Sequence, residues 1–135
     1  MKILLDTHLL IWIHTNTSKL PKAFLPYAQD PNNQFYYSSA SIWETQIKYT
    51  KNKTLFPISG DILDKYCKQA GMNCLLVKPE HSFLLDTLTY SNTAPREHKD
   101  PFDRLLICQA KSENMLFLTH DELLPYYNEP CVKYI

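Results

Sequence analysis

His98-Lys99-Asp100-Pro101-Phe102-Asp103-Arg104 is the stretch on which the reading of this chain turns. Asp100 is a natural helix N-cap. Pro101 suits the first helical position because it has no N–H to satisfy there. Asp103 then falls at the third helical position, where the helix dipole favours a carboxylate. The apolar run Leu105-Leu106-Ile107-Cys108 carries that helix into a core. Capping accounts for both acids at this one joint. Three further carboxylates, Asp6, Glu44 and Asp121, stand at comparable joints between apolar segments and helices or turns. A cap explains any one of them but not their recurrence.

Working outward, Ile3-Leu4-Leu5 is a short apolar run suited to a central strand covered on both faces. Asp6 ends it, and Asp6 or Thr7 can cap a helix from Leu9 to about His14. Leu20, Phe24, Tyr27 and Ala28 recur at helical spacing, but Pro26 predicts a short or kinked helix. The aromatic run from Gln34 to Tyr37 predicts a second strand. Ser38, Ser39 and Ser41 mark a helix start. Behind them Ala40, Trp43, Ile47 and Thr50 form the expected inward face, with Glu44 and Lys48 four apart. Tyr36, Trp43 and Tyr49 are assigned to the core by default. Ser59 is expected to cap a helix from Gly60 to about Ala70, which Gly71 terminates. Cys74 to Val77 predicts a strand. A short helix, Glu80 to about Thr87, follows with Phe83, Leu84 and Leu88 inward and His81 at the surface or behind a site. Ser91 to Lys99 is loop-like. Met115 to Leu118 predicts a strand, Glu122 to Tyr127 a short helix, and Cys131 to Ile135 a last strand. The alternation predicts one α/β domain over residues 1–135, a three-layer α/β/α sandwich with a mainly parallel sheet.

The 135 residues suit a single core, and the fourteen basic and fourteen acidic side chains cancel. Net charge therefore does not advertise nucleic acid, although Lys48, Lys51 and Lys53, and Arg96, Lys99 and Arg104, form local basic groups. Two glycines exclude a Gly-rich phosphate loop. Cys67, Cys74, Cys108 and Cys131 show no CxxC pair, which fits a reducing, cytoplasmic setting. The apolar start is broken by Asp6 and His8 and is too short to span a bilayer, so no membrane association is expected.

In a parallel sheet the strand ends carrying Asp6 and Asp121 share one edge, where such folds place ligands. Glu44 follows another strand closely, and Asp103 opens a helix that can point to the same edge. Clustered carboxylates repel one another unless protonated or bridged by a cation. Oxygen ligands suit Mg²⁺, with Mn²⁺ as a substitute. Such an ion can activate water and stabilise charge on a phosphodiester. Asp6, Asp103 and Asp121 are the expected metal ligands, and Glu44 ligates or positions the attacking water. Thr119 supports them by hydrogen bonding, and Asp100 is a cap and outer neighbour. Two other readings stand beside this one. The first is a non-catalytic RNA- or protein-binding domain. The second is a different phosphoryl hydrolase, disfavoured because Asp6-Thr7-His8 lacks a DxD pattern.

Four segments carry a resemblance: LLDTHLLIW at residues 4–12, SSASIWETQIK at 38–48, HKDPFDRLLICQA at 98–110 and FLTHD at 117–121. In this order they resemble PIN-domain ribonucleases of the VapC toxin family, from type II toxin–antitoxin systems. The resemblance spans nearly the whole chain. It implies a PIN-like fold and a Mg²⁺-dependent endoribonuclease toxin that cleaves RNA and inhibits translation. It also implies neutralisation by a VapB-like antitoxin, and homodimerisation. By motif, Asp6, Glu44, Asp103 and Asp121 match the family's acidic quartet, and Thr119 its small hydroxyl residue. Asp100 belongs to the HxDPFDR variant of the third motif. His120 stands where related chains often carry Arg.

Overall fold

A computed structural model describes every residue from Met1 to Ile135. Strand β1 (Lys2–Leu5) leads into helix α1 (Thr7–Thr15), and two 3-10 turns precede the short α2 (Leu25–Gln29). Strand β2 (Gln34–Ser38) runs directly into α3 (Ser39–Lys51), followed by α4 (Gly60–Gln69) and β3 (Asn73–Leu75). After α5 (Pro79–Phe83) a long connection reaches α6 (Pro101–Ser112), β4 (Leu116–Thr119) and β5 (Val132–Tyr134). The strands form one sheet in the order β3-β2-β1-β4-β5, and all four pairings are parallel. The expected α/β/α sandwich is therefore the fold. No helix is long and apolar enough to cross a membrane.

The period-2 geometry of β1 explains the two cores. Ile3 and Leu5 face one side with Leu9, Leu10 and Leu63 of α1 and α4. Leu4 faces the other with Phe117 and with Leu106, Ile107 and Ala110 of α6. All three β1 leucine and isoleucine side chains are fully buried, so the strand is apolar throughout instead of alternating. Burying each such side chain contributes about 1.5–3 kcal/mol before conformational entropy is counted.

Ser38 is the N-cap of α3: its Oγ accepts from the Ala40 amide at 3.0 Å and donates to Gln109 Oε1 of α6 at 2.6 Å. That buried pair ties the helix bearing Glu44 to the helix bearing Asp103. Helices α3 and α4 approach closely at Gly60, where an added Cβ would lie 3.0 Å from the Ile42 carbonyl oxygen. Gly71 ends α4 with φ at 77°, a conformation that L side chains rarely adopt.

Several local expectations are corrected. Ala40 faces inward as expected, but Trp43 is 63% exposed and Ile47 and Thr50 also face solvent; α3 buries Ser41, Glu44 and Thr45 instead. Thr7 Oγ1 donates to Ser41 Oγ at 2.9 Å, which satisfies part of that polar face. Phe83, expected inward, is 72% exposed. His81 is fully buried, with Nε2 2.9 Å from Glu113 Oε1 and Nδ1 accepting from the Lys78 amide. Its acid partner lies 32 residues away, on the end of α6. Ser59 makes no cap for α4; its hydroxyl donates to Asp61 Oδ1, and the Gly60 amide donates to Gln46 Oε1. The strand expected over Cys74–Val77 is instead Asn73–Leu75.

Candidate functional site

Parallel topology brings the carboxyl ends of β1 and β4 side by side. Residues Leu5 and Leu118 are register partners, and the Asp6 amide donates to the Leu118 carbonyl at 3.0 Å. Asp6 occupies the N-cap position of α1, yet its side chain makes no capping hydrogen bond. Its Oδ2 accepts from Thr119 Oγ1 at 2.5 Å, while Oδ1 is buried without a hydrogen-bond partner. The same Thr119 hydroxyl accepts from the Asp121 amide at 3.0 Å, so one side chain fixes both acids. Asp121 Oδ1 accepts from the Leu123 amide at 2.8 Å, shaping the turn after β4.

The HKDPFDR segment divides its acids as the capping argument expects. Asp100 Oδ1 accepts from the amides of Phe102 and Asp103 at 2.8 and 3.1 Å. That leaves the Asp103 carboxylate free of capping duty. Asp103 Oδ2 instead lies 3.0 Å from His98 Nε2. The Tyr127 hydroxyl oxygen lies 2.7 Å from His98 Nδ1 and 3.1 Å from the His98 carbonyl oxygen, to which it donates its one proton. Tyr127 thus locks the ring, and with Asp103 ionised the Nε2–H donates to it. Glu44 is buried on α3, with Oε2 accepting from Lys48 Nζ at 2.8 Å and Oε1 unpartnered. In each of the four acids one oxygen is held by the protein.

The electrostatics record how close these groups are. Burial pushes the Asp103 carboxyl up to about 8, and Asp6, Asp100, Glu44 and Asp121 each add to the rise. Burial also raises Asp6; the Thr119 hydrogen bond and the His8 ring oppose this, and Glu44 adds to it. One ligand atom each from His98, Asp103 and Asp121 lie within 4.8 Å of one another. Asp6 and Asp121 line a cleft of about 340 Å³ that Arg96 also borders.

Two buried carboxylate oxygens without partners, Asp6 Oδ1 and Glu44 Oε1, beside an acid held largely protonated, fit a divalent cation. Beside the acids expected from the sequence, the structure also places an imidazole nitrogen, that of His98, in the cluster. A lone histidine five residues before an aspartate has no recognised ligand spacing, so the sequence does not single out His98. The local signal was its place at the head of the motif.

Replacing Thr119 by Val keeps the shape but leaves Asp6 Oδ2 and the Asp121 amide unpaired. We expect Thr119→Val to weaken Mn²⁺ binding about 10- to 100-fold, read by calorimetry, as for other residues that orient ligands.

An α/β/α domain with carboxylates gathered at the carboxyl edge of a parallel sheet defines a class of acidic, cation-competent centres. Within it, this chain belongs to the PIN domain family, whose model matches residues 3–129. Among solved structures it is similar to VapBC2 from Rickettsia felis, bound to a DNA fragment from its promoter. That match has 15% identity, a TM-score of 0.64, and covers 100% of this chain and 99% of the other. VapBC-1 from nontypeable Haemophilus influenzae gives 17% identity and a TM-score of 0.66, covering 99% and 98%. FitAcB from Neisseria gonorrhoeae gives 18% and 0.60, covering 96% and 95%. These likenesses establish the shared fold. No curated protein matches the chain in sequence.

Proposed function

We propose that this chain is a Mg²⁺-dependent endoribonuclease toxin of the VapC type, with Mn²⁺ able to substitute. It acts by cleaving RNA and so inhibiting translation. The observation that carries this reading is the pair of buried, unpartnered oxygens on Asp6 and Glu44 beside Asp103 and Asp121. A purely structural site would leave neither oxygen orphaned, because each costs about 1–3 kcal/mol.

Asp6, Asp103 and Asp121 hold the cation in this proposal. When bound, it neutralises the acids and supplies Lewis acidity toward the phosphodiester. Thr119 keeps Asp6 and Asp121 in register. His98, braced by Tyr127, orients Asp103. Lys48 holds Glu44 by Oε2, leaving Oε1 to accept a proton from the attacking water. Asp100 fixes the first turn of α6, and so the position of Asp103. Arg96, on the cleft wall, is placed to meet a phosphate.

The partner in this reading is a VapB-like antitoxin, and the toxin pairs with a second copy of itself. The matched structures include two named as VapBC assemblies, and Leu76, Val77, Phe83 and Leu85 are exposed here for a partner to cover. The four cysteines are free thiols, as suits a cytoplasmic protein.

The test uses single-stranded RNA with purified wild type and Asp6→Asn, each in Mg²⁺ and then in EDTA. Cleavage is expected only for wild type with metal. Cleavage by both proteins in EDTA overturns the assignment. RNA binding without cleavage or cation affinity would make this a non-catalytic binding domain.

A further inference from the structure

Beside the carboxylates, His8, Trp12 and His120 line the same cleft, with Tyr134 stacked on His120 next to it, a row of aromatic rings that the metal chemistry does not use. His8 is nearest, with Nδ1 4.0 Å from Asp6 Oδ1. Its ring lies 6.1 Å from Trp12, one helical turn on in α1. Trp12 meets His120 edge-on at 5.7 Å, and His120 stacks on Tyr134 of β5 at 5.4 Å with an interplanar angle of 10°. His8, His120 and Tyr134 are exposed and Trp12 is half-buried. Core packing reaches only Trp12 and therefore does not account for the row.

We infer that the His8–Trp12–His120–Tyr134 row is a stacking platform for a nucleobase of single-stranded RNA, seated next to the phosphate at the carboxylates. This rests on the ribonuclease reading above and adds how the substrate is gripped. The chain has zero net charge, and the site itself is acidic. Long-range attraction to phosphate is therefore weak, and affinity must come from elsewhere. Aromatic stacking supplies it without regard to base identity, since every base has a π-face. Arg96 contributes a single cation to the cleft wall.

The platform is rigid where a base would touch it. His120 Nδ1 donates to the Ile135 carbonyl oxygen, which fixes the ring and its tautomer. Nε2 is left free to meet a base edge. His120 and Tyr134 already stack on each other, so the base lies along the cleft side of the row and does not intercalate. An RNA duplex, whose bases are occupied, is a poor occupant.

The test is binding, not cleavage, in an Asp6→Asn background with Mg²⁺. Fluorescence anisotropy compares a short single-stranded RNA with an abasic ribose-phosphate strand of equal length. Trp12→Ala is expected to weaken RNA binding about tenfold and to leave the abasic strand unchanged, while Trp12→Phe retains most of the affinity. Because Trp12 also touches the core, His120→Ala, at an exposed position, is the second variant and is expected to weaken RNA binding severalfold. If both alanine variants hold RNA affinity within about twofold of the parent, or weaken the abasic strand equally, stacking is refuted and the nuclease reading survives. If the parent binds neither strand, the ribonuclease reading falls and the platform with it.

Discussion

Asp103→Asn is expected to lower RNA cleavage by on the order of a thousandfold while making the metal-free protein more stable. The two effects have one origin. Burial and four neighbouring acids raise the Asp103 carboxyl from the ordinary carboxylate range to about 8. A carboxyl raised on folding contributes stability that is fully present below the unfolded value and lost as pH rises through the folded one. At pH 7.5 in EDTA, wild type has lost most of that contribution, and the asparagine variant never had it to lose. With solvent relaxation discounted, the difference is about 2 kcal/mol, or roughly 6–10 °C in Tm for a domain of this size. Thermal melts of both proteins from pH 4 to pH 8 check it. The curves should nearly coincide at pH 4 and separate toward pH 8. A variant that melts lower than wild type at pH 8 in EDTA would show that Asp103 is not repelled by its neighbours.

Adding Mn²⁺ to the metal-free protein should raise its Tm far more at pH 8 than at pH 5. Protons and the cation compete for the same carboxylates, and both Asp6 and Asp103 titrate above the usual range. At a hundredfold excess over Kd, linkage gives about 2.7 kcal/mol, or roughly 8–13 °C. At pH 5 much of that gain disappears because Asp103 is already neutralised by a proton. Asp103→Asn should show little gain at either pH. The measurement is differential scanning calorimetry with and without the ion. An equal rise in the variant, or one independent of pH, would place the cation elsewhere on the molecule.

These expectations draw on parts of the site that the sequence exposes to different degrees. Asp6 and Asp121 were legible because an acid just beyond an apolar strand has one obvious place in a parallel sheet. Asp103 was legible through its helix start, where Asp100 and Pro101 set the register. Helix α3 was misread on its buried face. Hydrophobic spacing selected Trp43 and Ile47, whereas the fold buries Ser41, Glu44 and Thr45. A helix that serves a polar centre reverses the usual amphipathic rule, and only the centre's location reveals it. His81 and His98 were missed for a related reason. The partner of His81, Glu113, lies 32 residues along the chain, beyond any local pattern; His98 pairs with Asp103 five residues on, a spacing with no ligand signature, and is braced by Tyr127 29 residues away.

The sheet order also dictates when the site comes into being. Strand β1 is the first to be synthesised, yet Asp6 is held by Thr119, 113 residues later. The sheet places β4 beside β1 across almost the whole length of the chain. Contacts of such separation form late in folding, since loop closure must precede them. A nascent chain that ends before Met115 has no Thr119 and no Asp121, and the long edge of its central strand is unpaired. Its remaining acids are not yet in register. Insertion of β4 completes the sheet and assembles the carboxylates in one event. The carboxylates therefore come together only once β4 has been made and has paired with β1, and no shorter stretch of the chain carries the centre.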